Sequence, residues 1–125
     1  MFTHMFLGSN DVDRSRKFYE AVLAPLGRQN VMPADQPRLV FPSETSTLIV
    51  GAPANGEPAK ASNGFTVGFG AADAAAVDAF HAAGLANGGT CEGAPGPRPA
   101  APGNAYGAYL RDPDGHKVCA FCQLG

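Results

Sequence analysis

No stretch of this sequence stays apolar long enough to span a membrane, and its first residues, MFTHMFLGSND, carry neither a basic leader nor a secretory apolar core. The expectation is a cytoplasmic protein. Charge is sparse at 16% of residues, and the 9 Lys and Arg are scattered among 11 Asp and Glu, so no positive strip is available to a phosphate backbone or a lipid surface. That argues against nucleic-acid and membrane partners and leaves small molecules or other proteins. Cysteine is also scarce: three residues, two of them three positions apart, make no even-numbered disulfide framework. Stability must come from an apolar core.

The material for such a core is present. The chain has 125 residues, 45% of them hydrophobic, which suits one domain over residues 1–125 and is too short for two independent globules of ordinary size. Alternation predicts a strand with Phe2, His4 and Phe6 on one face and Thr3, Met5 and Leu7 on the other, ended by Gly8. A helix follows, capped by Asp11 or Asp13, with Phe18, Tyr19, Val22, Leu23 and Leu26 at helical spacing and Pro25 and Gly27 closing it. Strands are expected over 28–32, 39–41 and 45–50, separated by turn-forming residues.

Residues 52–63 read as a linker, rich in Gly, Pro, Ala and Asn and without apolar period. The order then repeats. A strand is expected over 65–69, then a helix capped by Asp73 with Val77, Phe80 and Leu85 inward and His81 on its exposed face. Strands over 90–92, 105–111 and 117–124 complete the second unit. Two β-α-β-β-β modules result, one about 1–51 and one about 64–125. One helix covers one face of each sheet, so the opposite face needs the other module, a second chain or a ligand. A cup between two sheets follows.

The stretch RDPDGHKVCAFC joins a turn to a strand. Pro113 presets the backbone, Asp112 and Asp114 can bond nearby amides, and Gly115 accepts positive φ, so RDPDG is a hairpin with His116 beside it. It lacks the alternating oxygens and late glutamate of a calcium loop. Cys119 and Cys122, an odd number apart, point to opposite faces and can neither bridge easily nor grip one ion. Val118, Ala120 and Cys122 should pack under a helix, with Cys119, Phe121 and Gln123 facing the cup. Cys119 has two readings: an inert thiol, or a nucleophile if His4 lies within hydrogen-bonding distance. His4 in turn is a pocket residue or an imidazole satisfied by a backbone carbonyl. The Pro-rich segment 92–104 is either a lid offering Arg98 to an anionic substrate or a plain surface loop. Tyr106, Tyr109, Phe65 and Phe69 line a pocket or fill the core according to their faces.

Two stretches, FTHMFLGSNDVDRSRKFYEAVL and YLRDPDGHKVCAF, in this order and separation, resemble the glyoxalase, bleomycin-resistance and extradiol-dioxygenase superfamily, also called the vicinal oxygen chelate superfamily. The resemblance covers nearly the whole chain. It implies an α+β fold of paired β-α-β-β-β modules forming a cupped, partly open barrel, and a homodimer. Metal-using members hold a divalent ion such as zinc, nickel, manganese or iron from the first and last strands of each module. Carried over, these positions fall on His4, which fits; on Leu48 or Val50, which cannot ligate; on Thr66, where histidine is common; and on Cys119, where glutamate is usual. The resemblance therefore implies small-molecule binding without a complete metal set. The pocket residues expected are Thr66, Arg98, Tyr106 and Phe121, with His4 and Cys119 as the candidate catalytic pair. Two alternatives are a metal-dependent lyase, isomerase or dioxygenase, and a protein-interaction module.

Overall fold

Asp11, extended at φ −156°, caps the first helix, α1 (Val12–Leu23), by accepting a 3.1 Å hydrogen bond from the Arg14 amide. Ser15, Phe18, Tyr19, Val22 and Leu23 form its buried stripe. A 3₁₀ turn over Ala24–Leu26 follows, and Gly27 at φ 77° turns the chain away, a conformation that favours glycine. Asp73 repeats the capping device for α2 (Ala74–Ala86), its Oδ1 accepting from the Ala76 amide at 2.9 Å. The computed structural model describes all 125 residues, Met1–Gly125.

The strands form two separate sheets. β1 (His4–Gly8), β2 (Arg38–Pro42) and β3 (Thr47–Gly51) make the first, ordered β1-β3-β2. β4 (Thr66–Gly70), β5 (Thr90–Pro97), β6 (Ala105–Arg111) and β7 (Lys117–Gln123) make the second, ordered β4-β7-β6-β5. In each sheet the module's first strand runs parallel to its last, and the remaining pairs are antiparallel. The α+β arrangement with open sheets is the expected one. Between sheets and helices lies one cluster of 17 buried residues drawn from both halves, including Leu7, Phe18, Leu39, Phe80, Leu110 and Val118.

Several details depart from the sequence reading, one being that the strand expected over 90–92 runs on as β5 through Pro97, so residues 92–97 of the Pro-rich segment are paired with β6 rather than loop. No strand forms over 28–32: Asn30 Oδ1 accepts from the amides of Met32 at 3.1 Å and Val40 at 3.0 Å, so a side chain replaces part of a ladder, and Val31 is exposed. On α2 the buried stripe is Val77, Phe80, His81 and Gly84, so His81 is buried rather than exposed and Leu85 is exposed rather than inward. The reason is helical spacing: positions 77, 80, 81 and 84 lie on one face, and Leu85 falls beside it. A Cβ on Gly84 would come within 2.3 Å of Leu110 Cδ1, so its bare backbone lets α2 sit close on β6.

Candidate functional site

Alternation assigns the faces of the second sheet. Val118, Ala120 and Cys122 join the core under the helices, so Lys117, Cys119 and Phe121 lie on the open face. Cross-strand pairing orders that face into rows. Thr66, Lys117 and Arg111 stand side by side; next come Gly68, Cys119, Tyr109 and Gly93; then Gly70, Phe121, Gly107 and Gly96. Glycines therefore flank Phe121 on both sides. A Cβ on Gly107 would lie 2.6 Å from the Phe121 ring, so the ring rests on bare backbone there, while nothing lies within 4 Å of a Cβ built on Gly70.

Tyr109 is the centre of this face. Its ring meets Phe121 edge-on, with centroids 5.6 Å apart. Lys117 Nζ stands 4.8 Å and Arg98 Cζ 5.7 Å from the Tyr109 centroid. Neither cation is paired with a carboxylate; the salt bridges are Arg14–Asp114, Arg16–Asp13 and Arg111–Glu92. Arg98 is held by carbonyls of its own loop, Nη1 donating to Gly96 and Pro97 and Nη2 to Ala94. Sequence reasoning missed Lys117, although its spacing of two residues from Cys119 and four from Phe121 placed it on the same face.

The other anticipated site residues divide between faces. Thr66 and Phe121 share the open face with Cys119 and Tyr109, and Arg98 folds over it from the loop. Tyr106 does not join them: three residues from Tyr109, it points to the helix side, where its hydroxyl donates to Asp78 Oδ1 on α2 at 2.7 Å. Phe69 likewise turns inward, meeting Phe80 at 6.4 Å, and Phe65 is exposed just before β4. His4 stands exposed on the open face of the first sheet, its Nδ1 2.9 Å from Thr3 Oγ1. No hydrogen bond joins it to Cys119, so the condition for activating that thiol is not met. Burial pushes the Cys119 thiol up to about 11, with the Lys117 ammonium pulling it part of the way back. At neutral pH it is a thiol, not a thiolate.

The hairpin after β6 joins the two halves. Asp112 Oδ1 accepts from the amides of Asp114 and His116, both at 2.9 Å, and its Oδ2 accepts from the buried Tyr19 hydroxyl on α1. Asp114 Oδ1 accepts from Arg14 Nη2 at 2.7 Å and from the Asn10 amide at 3.1 Å. His116 Nε2 donates to the Gly8 carbonyl at 2.8 Å, which assigns its proton to that nitrogen. Two cavities lie where the halves meet. One of about 390 Å³ is lined by Met5, Leu26, Phe41, Thr47, Gly68 and Gly70; a second of about 700 Å³ opens between Phe6, Phe65, His116 and the linker. None of His4, Thr66, Arg98, Tyr106, Cys119 or Phe121 lines either cavity.

The residues present do not fit a divalent metal. No three His, Cys, Asp or Glu side chains gather closely enough to hold one. Leu48 and Val50 are buried in the core on the helix side, so the open-face positions of β3 are Thr47, beside His4, and Ile49, beside Phe6. Cys119 is paired with Gly68 rather than Thr66. The neighbours of His4 and Cys119 thus supply no strong donor.

The sequence model of the Glyoxalase/Bleomycin resistance protein/Dioxygenase superfamily matches residues 2–120. Among solved structures, a glyoxalase/bleomycin resistance protein from Albidiferax ferrireducens T118 is 49% identical, with 97% of this chain and 98% of that one covered and a TM-score of 0.89. A glyoxalase-related enzyme from Fulvimarina pelagi is 17% identical over 95% and 85% of the two chains, TM-score 0.75. A lactoylglutathione lyase from Agrobacterium tumefaciens is 24% identical over 95% and 90%, TM-score 0.63. The last two show likeness of fold alone. Among proteins of curated function none matches the chain.

Proposed function

The chain belongs to the glyoxalase/bleomycin resistance protein/dioxygenase superfamily, and from that premise we propose that it binds a small organic anion with a planar part on the open face of its second sheet, without a metal held by its own residues. The observation that carries this reading is Tyr109 with Lys117 and Arg98 beside it, two cations that no carboxylate neutralises. The planar part packs against Tyr109 and Phe121. The anionic group takes charge-assisted hydrogen bonds from Lys117 and Arg98. Gly70 leaves the space beside Phe121 unfilled, whereas Cys119 Sγ already fills the space over Gly68; Thr66 offers a hydroxyl at the rim, and Cys119 serves as a neutral wall rather than as a nucleophile.

The face is open on the chain's own account, and a second copy completes it in this reading. The open face of the first sheet offers Phe6, Ile49 and Val40 in one cross-strand row, an apolar surface suited to close such a site in a homodimer.

Calorimetric titration with a panel of aromatic carboxylates and their neutral amides tests the proposal. The carboxylates should bind and the amides should not. Lys117→Ala and Arg98→Ala should each weaken binding about tenfold, the loss of one charge-assisted hydrogen bond. Equal binding of acid and amide, or unchanged affinity in both variants, would sink the reading.

A further inference from the structure

Cys91 lies on β5, the edge strand of the second sheet, paired with Leu110 of β6. Leu110 points to the core, so Cys91 faces the helix layer, the opposite side from Tyr109 and Cys119. Its sulfur is 3.1 Å from Nε2 of His81 on α2. Of the three free thiols, Cys91 is the exposed one, whereas Cys119 and Cys122 are buried. We propose that Cys91 and His81 form a thiol–imidazole pair that makes Cys91 a nucleophilic site for modification by small disulfides, distinct from the ligand face.

The fold places the pair by close packing. Gly84, one turn after His81, brings α2 down on Leu110, and His81 shares its buried stripe. The imidazole is 9% exposed, which fixes the ring, while the cysteine at the sheet edge stays open to a reagent. Burial lowers the His81 pKa, so at neutral pH the ring is a free base that can take a proton; Asp78, on the same helix, opposes that shift and stabilises the imidazolium once formed. Asp78 also accepts the hydroxyl of Tyr106. Asp78 on α2 and Cys91 on β5 act on this ring directly, and Tyr106 on β6 acts through its hydrogen bond to Asp78.

The exchange balances without any further reactant. The Cys91 proton passes to His81 Nε2, and the Cys91 sulfur attacks one sulfur of the small disulfide. That S–S bond breaks as the new one forms, and the departing thiolate takes the proton back from the imidazolium. Cys91 is oxidised to the mixed-disulfide level and half of the reagent is reduced to a thiol. With Cys119 and Cys122 buried, no second cysteine stands at the surface to resolve the product, so it persists until an external thiol removes it.

The test uses the full native chain and 5,5′-dithiobis(2-nitrobenzoate) as the disulfide, following release of the coloured thiol over a range of pH. At neutral pH one fast thiol per chain is expected, absent in Cys91→Ser and slowed about tenfold to a hundredfold in His81→Gln. The difference should vanish above about pH 8.5, where a free thiol ionises unaided. A His81→Gln variant as fast as wild type at neutral pH, or slowed equally at all pH, would overturn the proposal, as would the lack of a fast thiol.

Discussion

Asp112 shows how one side chain can carry a junction. It is buried, it organises its own hairpin through two amides, and it takes the hydroxyl of Tyr19 from the other half of the chain. Tyr19→Phe leaves that carboxylate oxygen without its buried donor and should cost about 1–3 kcal/mol in a urea unfolding experiment. Burial first, and then the Asp112 charge, hold the Tyr19 phenol well above its usual pKa. The unfolded chain releases that proton above about pH 10 while the folded chain keeps it, so stability should fall as pH rises through that range. Tyr19→Phe, less stable at neutral pH, should lose less over the same alkaline interval; an equal loss in both proteins would remove Tyr19 as the cause. Cys119 belongs to the same scale: its thiol, raised to about 11, should resist iodoacetamide at neutral pH in the native chain and react only after unfolding.

Among the elements, β7 was the most legible from sequence. Its alternation sent Val118, Ala120 and Cys122 inward and Cys119 and Phe121 outward, because a strand's period of two leaves no third choice. The interior of α2 was less legible, since a polar His81 and a bare Gly84 hold positions where pattern reading looks for large apolar residues. Gly84→Ala measures that packing. Alanine favours the helix by about 1 kcal/mol over glycine, but its Cβ would overlap the fully buried Leu110, and overpacking costs about 1–3 kcal/mol. The clash should win, giving a lower urea midpoint. Gly107→Ala has a different signature, because Phe121 is only half-buried and can lift from its seat. There the expected change is weaker binding of the aromatic carboxylate with little change in stability.

For the whole molecule, the question is what covers two open sheet faces. A homodimer in sedimentation velocity, dissociated by Phe6→Glu, is the outcome expected from the apolar row of Phe6, Ile49 and Val40. A monomer at all concentrations would leave the ligand face without its proposed cover. Metal retention is a second test at the same scale. Untagged protein incubated with zinc, nickel, manganese or ferrous ion and then desalted should keep well under one ion per chain. Near-stoichiometric metal that is lost in His4→Ala would mean that a donor set is completed across two copies. No helix is long and apolar enough to cross a membrane.

The sequence by itself determined the two capped helices, the RDPDG hairpin and the α+β fold, because caps, turns and strand alternation are set by neighbours a few positions apart. The loss of the strand over 28–32 lay beyond it, since that rests on Asn30 reaching Val40 from the next strand. The tertiary structure alone decided which face Tyr106 joins, which residues stand beside His4 and Cys119, and that His81 meets Cys91. Those are contacts between elements whose register a one-residue shift would reverse, and no local preference encodes them.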